Sequence, residues 1–144
     1  GAAVILMHMR GTPKAMQQGD LIYRSLRDEI IDFLRKRIER AADAGIDPAQ
    51  IMVDPGIGFG KTVTDNMRLI RYLQEFKVLG RPILVGPSRK AFIGQVTGGT
   101  PGERVEGTAA AVTAAILNGG NVIRVHDVSI MKKVAAMADA VSRA

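Results

Sequence analysis

The chain has 144 residues, of which 47% are hydrophobic, with no cysteine and a net charge of +6. That length and apolar content suit one packed domain and exclude a chain that is disordered as a whole. Disulfides and thiolate metal sites are excluded, no apolar run reaches the ~18 residues of a membrane-spanning helix, and six aromatics without a Trp offer nucleic acid few stacking platforms. The positive excess is therefore read as a site for anionic small molecules, in a soluble protein expected in the cytoplasm.

In chain order, Val4–Met9 reads as a short buried strand. Leu21 to Ala44 predicts a helix with Ile22, Leu26, Ile30, Phe33, Leu34, Ile38 and Ala41 on one face and Gly45 just past its end. Ile51–Val53 is the second strand. Asp65 to Leu79 predicts one helix capped by Thr64, with Met67, Ile70, Leu73 and Phe76 facing inward. Ile83–Val85 is the third strand. Thr100-Pro101-Gly102-Glu103 reads as a capping box with Pro at the first helical position, opening a helix to about Asn118. Its small and apolar stretch Thr108–Leu117 predicts close packing. Val122–Val125 is the fourth strand, and a last helix runs on from Ser129. Continuous apolar runs suit strands buried on both faces. Strands alternating with helices predict an α/β fold with a parallel sheet, either open and doubly wound or part of a barrel.

In both folds ligands meet the carboxyl ends of the strands. There the sequence places His8, Met9 and Arg10; then Asp54-Pro55-Gly56-Ile57-Gly58-Phe59-Gly60-Lys61; then Gly86-Pro87-Ser88-Arg89-Lys90; then Arg124, His126 and Asp127. A buried carboxylate needs partners, and Asp54 suits two parallel N–H donors, such as the 2-amino-pyrimidinone edge of a guanine or pterin. The glycines let backbone approach a flat ring; as turn formers around a helix-capping Asp they would do less. Neither the dinucleotide fingerprint nor the P-loop fits their spacing. Arg89 and Lys90 near a helix start are unfavourable for the helix alone and so point to an anion. Arg124 and His126 share one strand face and form an anion clamp, unless Arg124 pairs with Asp54 or Asp127. His8 is read equally well as a satisfied core histidine. No nucleophile elbow or metal-ligand cluster appears.

These four motifs, the first extended to Leu6-Met7-His8-Met9-Arg10-Gly11-Thr12-Pro13, resemble the dihydropteroate synthase family over essentially the whole chain, but only the C-terminal half of that enzyme. The resemblance implies a (β/α)8 TIM barrel to which residues 1–144 contribute about strands 5–8 and their helices. It implies a transferase of folate biosynthesis that condenses 6-hydroxymethyl-7,8-dihydropterin diphosphate with p-aminobenzoate, releases diphosphate, and is the target of sulfonamides. It further implies that Met7, Asp54, Gly58, Phe59, Gly86 and Lys90 bind the pterin, and that Phe59, Ser88, Arg89 and Lys90 receive the p-aminobenzoate. Arg124 and His126 would hold the diphosphate, making Lys90, Arg124 and His126 the catalytic set. Mg2+ would be held by the N-terminal half, not by this chain, and the assembly would be a homodimer.

A whole barrel of this kind takes about 250 residues, so 144 residues alone are expected to be inactive. Two other readings remain: a pterin-binding module related to corrinoid methyltransferases, or an inactive half-barrel whose open strand edges pair with another copy.

Overall fold

The computed structural model describes residues 1–11 and 22–144. Its elements are β1 (Val4–Met7), α1 (Leu26–Asp43), β2 (Ile51–Asp54), α2 (Val63–Arg71), a 3-10 segment (Leu73–Leu79), β3 (Leu84–Val85), α3 (Ala91–Thr97), α4 (Val105–Leu117), β4 (Val122–Ile123) and α5 (Val128–Arg143). Thr12 and Pro13 of the first motif, and the predicted helix start at Leu21, lie outside the described residues.

All pairings are parallel. β1 pairs with β2 from Val4–Ile51 to Met7–Asp54, a parallel bridge joins Val53 to Ile83, and β3 pairs with β4. The strands therefore run in sequence order, as right-handed β-α-β crossovers produce. The core lies between strands and helices, where Ile30, Leu34, Val53, Leu73, Phe76, Ile83, Val85 and Ala115 are buried together. Leu6 packs against this core while its neighbour Ile5 is 51% exposed. Strands buried on both faces were expected, and β1 departs from that: no described element covers the Ile5 side.

Several boundaries move for identifiable reasons. α1 begins at Leu26, leaving Ile22 69% exposed, while Ile30, Leu34 and Ala41 are buried as expected. It ends as predicted: Gly45 has φ +86°, its N–H donates to Ala42 O and that of Ile46 to Ala41 O, the Schellman pattern. α2 is capped by Thr62 rather than Thr64. The Asp65 carboxylate accepts from the Thr62 N–H at 3.1 Å, and the Asp65 N–H donates to Thr62 Oγ1 at 3.1 Å.

The single helix expected to Leu79 breaks after Arg71. Asn118 Nδ2 donates to the Ile70 carbonyl at 3.1 Å, satisfying an acceptor in the last turn of α2. Met67, expected to face inward, is 44% exposed, and α2 instead buries Asn66, Leu69 and Ile70. Thr100 caps only the 3-10 turn Pro101–Glu103, and α4 starts after it. α3 is not among the predicted elements, although a helix start is expected near Arg89 and Lys90, and Lys90 is its N-cap. α4 packs closely, as its composition required: a Cβ at Gly107 would overlap Ile93.

Candidate functional site

The strand ends converge. Met7, Asp54, Phe59, Gly86, Ser88, Lys90, Arg124, Val125 and His126 line one cavity of about 330 Å3. Parallel pairing puts every strand's carboxyl end on the same rim, which is why four motifs spread over the sequence meet.

Asp54 closes β2 and is buried. Its Oδ1 accepts the Gly56 N–H at 2.7 Å, and Oδ2 accepts no hydrogen bond among the described residues. Burial pushes its pKa up, while the Gly56 N–H and the charges of Lys90, Lys61 and Arg124 oppose that rise. The carboxylate thus has acceptor capacity left for a ligand.

Lys90 stands at the start of α3 with its ammonium 4.2 Å from the centre of the Phe59 ring, and it donates to the Ile57 carbonyl. Desolvation lowers its pKa to about 8; Arg124 adds to that and Asp54 resists it. Gly58 makes this possible. Its φ is +80°, and a Cβ there would sit 2.7 Å from Lys90 Cδ. Gly58 therefore lies under the Lys90 stem, outside the cavity wall where the resemblance had put it, and its N–H donates to Asn66 Oδ1 at 2.6 Å.

Ser88 and His126 are joined: Ser88 Oγ is 2.9 Å from His126 Nδ1 and accepts the His126 backbone N–H at 3.2 Å. With Ser88 Oγ donating to a bare Nδ1, the ring hydrogen sits on Nε2. Arg89 does not line the cavity. Its guanidinium grips Asp127 at 3.0 and 2.6 Å, which holds the Asp127 carboxyl below its usual range. Its backbone, at φ +58°, is braced by Thr108 Oγ1 on its N–H and Arg104 on its carbonyl. The ion pair considered for Arg124 thus goes to Arg89 instead. Arg124 forms no ion pair among the described residues and keeps its charge for the cavity.

His8 is a packed histidine. It meets the Phe33 ring edge-on at 5.0 Å, and burial lowers its pKa to about 4. Three buried polar residues have supporting roles that the sequence did not assign: Lys61, named only within its motif, Thr108, named only as the start of a closely packed stretch, and Asn66. Asn66 and Thr108 each interrupt the apolar face of a helix, a signal that was available.

Residues 1–126 match the family described as pterin binding enzyme. The chain belongs to the pterin-binding enzyme family. Within it, the chain is 46% identical over 147 aligned residues to the dihydropteroate synthase of Synechocystis sp., covering 99% of this chain and 49% of that one. It superposes on the Yersinia pestis dihydropteroate synthase solved with a sulfonamide drug at a TM-score of 0.93 and 39% identity, over 96% of this chain and 50% of the other. The Thermus thermophilus dihydropteroate synthase solved with 4-aminobenzoate gives 0.87 and 38%, over 96% and 56%. The chain thus spans about half the length of these relatives.

Proposed function

We propose that this chain forms the C-terminal half of a dihydropteroate synthase barrel, contributing about strands 5–8, and works only when the other half closes over the Ile5 face. The observation that carries the reading is one cavity holding a buried carboxylate with a free oxygen beside a cation, Arg124, that no described carboxylate neutralises. The first suits the 2-amino and ring N–H edge of a pterin and the second a diphosphate.

In this reading Asp54 accepts the two pterin N–H groups. Met7 and Gly86 line the slot, and Lys90 donates to the ring carbonyl region. Arg124 and the Nε2–H of His126 hold the diphosphate. As the C–O bond to diphosphate breaks, negative charge grows on the leaving oxygen, and these two groups stabilise it there. The aniline nitrogen of p-aminobenzoate forms the new C–N bond and loses a proton. Phe59 and Lys90 flank that substrate, with Ser88 at the edge. Arg89, engaged with Asp127, serves this substrate by shaping the loop, not as its ligand.

Following the family resemblance, Mg2+ is assigned to the N-terminal half, and no step is routed through it. We also propose a homodimer through the later helices. An apolar groove of about 430 Å3 between α2, α3 and α4, with Met67, Phe92 and Val96 on its walls, supports that assignment.

The test joins this chain to the N-terminal half of the Synechocystis relative and measures diphosphate release with both substrates. Release that requires both, and that falls at least tenfold in Arg124→Gln, is expected. A folded hybrid that releases none, or that binds methyltetrahydrofolate more tightly than the pterin diphosphate, overturns the reading in favour of a pterin-carrying module.

A further inference from the structure

The loop after β2 ends in a cation that the reaction leaves without a task. Lys61 is 4% exposed, and no carboxylate among the described residues forms an ion pair with it. A buried ammonium is costly unless its protons are accepted. Here all three are. Nζ lies 3.0 Å from His8 Nδ1, 2.9 Å from the Gly56 carbonyl and 3.0 Å from the Phe59 carbonyl. His8 must present a bare Nδ1 to accept, and its burial against Phe33 keeps it neutral.

These acceptors are not a random set. His8 directly follows β1. Gly56 supplies the N–H that Asp54 accepts, and Phe59 forms the cavity wall beneath Lys90. The loop lies so close to β1 that a Cβ on Gly56 would overlap the His8 carbonyl. One ammonium therefore fastens the loop at both ends of its turn.

We propose that Lys61 is a positioning residue: shared among His8, Gly56 and Phe59, its ammonium holds the β2 loop on the end of β1, so that the Asp54 carboxylate and the Phe59 ring stand ready for a pterin. This rests on the pterin reading of the cavity. The charges acting on Lys61 are Asp54 and Asp65, which favour the ammonium, and Lys90, which opposes it; neutral His8 is in contact. Desolvation outweighs them and brings its pKa to about 7. The fastening is therefore strongest below neutrality, and one of the three donors is lost above it.

The experiment uses the hybrid barrel with Lys61→Met, which keeps an apolar stem and removes every donor. Two probes are titrated by calorimetry: 6-hydroxymethylpterin and inorganic diphosphate. Pterin affinity is expected to fall tenfold or more while diphosphate affinity, carried by Arg124 and His126 on another loop, stays within twofold. The unaltered barrel should also lose pterin affinity as pH rises through about 7, a step absent from Lys61→Met. Equal pterin affinity with and without Lys61 overturns this inference alone, as does a parallel loss of both ligands. If circular dichroism shows Lys61→Met unfolded, His8→Phe, which removes one acceptor and retains the packing, is read by the same criteria. An unaltered barrel that binds no pterin rejects the functional reading and this inference with it.

Discussion

Asp54→Asn isolates the group on which pterin recognition depends. Asp54 is 8% exposed and spends one oxygen on the Gly56 N–H at 2.7 Å. Asn keeps that acceptor through Oδ1 and replaces the other oxygen with an N–H2 that faces the ligand's own N–H. One charge-assisted bond disappears, about 1.5–3 kcal/mol, and a ligand donor is left unpaired in a dry site, about 1 kcal/mol more. The sum, roughly 2.5–4 kcal/mol, corresponds to about a 60- to 700-fold loss in affinity. The assay is calorimetry of the hybrid barrel with 6-hydroxymethylpterin. Burial also pushes the Asp54 carboxyl up, so wild-type affinity should begin to fall on the acid side at a higher pH than an exposed aspartate would give. The Asn variant lacks that limb. A folded Asp54→Asn barrel that binds within threefold of wild type refutes the carboxylate as the pterin anchor.

Three further outcomes are expected. Arg89→Ala and Asp127→Ala each lower the melting temperature and diphosphate affinity, and the exchanged pair Arg89→Asp with Asp127→Arg recovers part of both; no coupling in this double-mutant cycle would make their bidentate contact inert. His8 titrates near 4 when folded and near 6.5 when unfolded, so unfolding takes up a proton between those values and stability falls as pH drops from 6.5 towards 4, by at most about 3 kcal/mol. Urea titrations at several pH values should show this in wild type and a flatter profile in His8→Phe; identical profiles refute it. Gly45→Ala, with open space at φ +86°, costs roughly 1–2 kcal/mol, whereas Gly56→Ala adds an overlap with the His8 carbonyl and melts much lower; equal melting points would contradict the close approach.

Much of the fold was legible because its signals are local. The apolar runs starting at Val4, Ile51, Ile83 and Val122 all contain parallel strands, and Gly45 closed α1 where the sequence put it. The largest miss has a tertiary cause. A helix to Leu79 satisfied the spacing of Ile70, Leu73 and Phe76, and all three are buried, yet α2 ends at Arg71 and its Ile70 carbonyl is satisfied by Asn118 from 48 residues away. No pattern within the segment carries that contact. α3 was hidden behind a short glycine-containing sequence with only Phe92 and Ile93 buried.

The sequence by itself determined which chemistry gathers at the strand ends, since motif order and β-α alternation place Asp54, Lys90, Arg124 and His126 on one rim. It also determined the family. Only the tertiary structure decided how the charges are divided. Arg89 and Arg124 look alike as residues beside strands, but Arg89 finds Asp127 across 38 positions and Arg124 is left for the cavity. Lys61, an ordinary loop cation in the sequence, is buried by the same closure. Ion pairing and desolvation depend on distance in space, and spacing along the chain fixes that distance only within a single helix or strand.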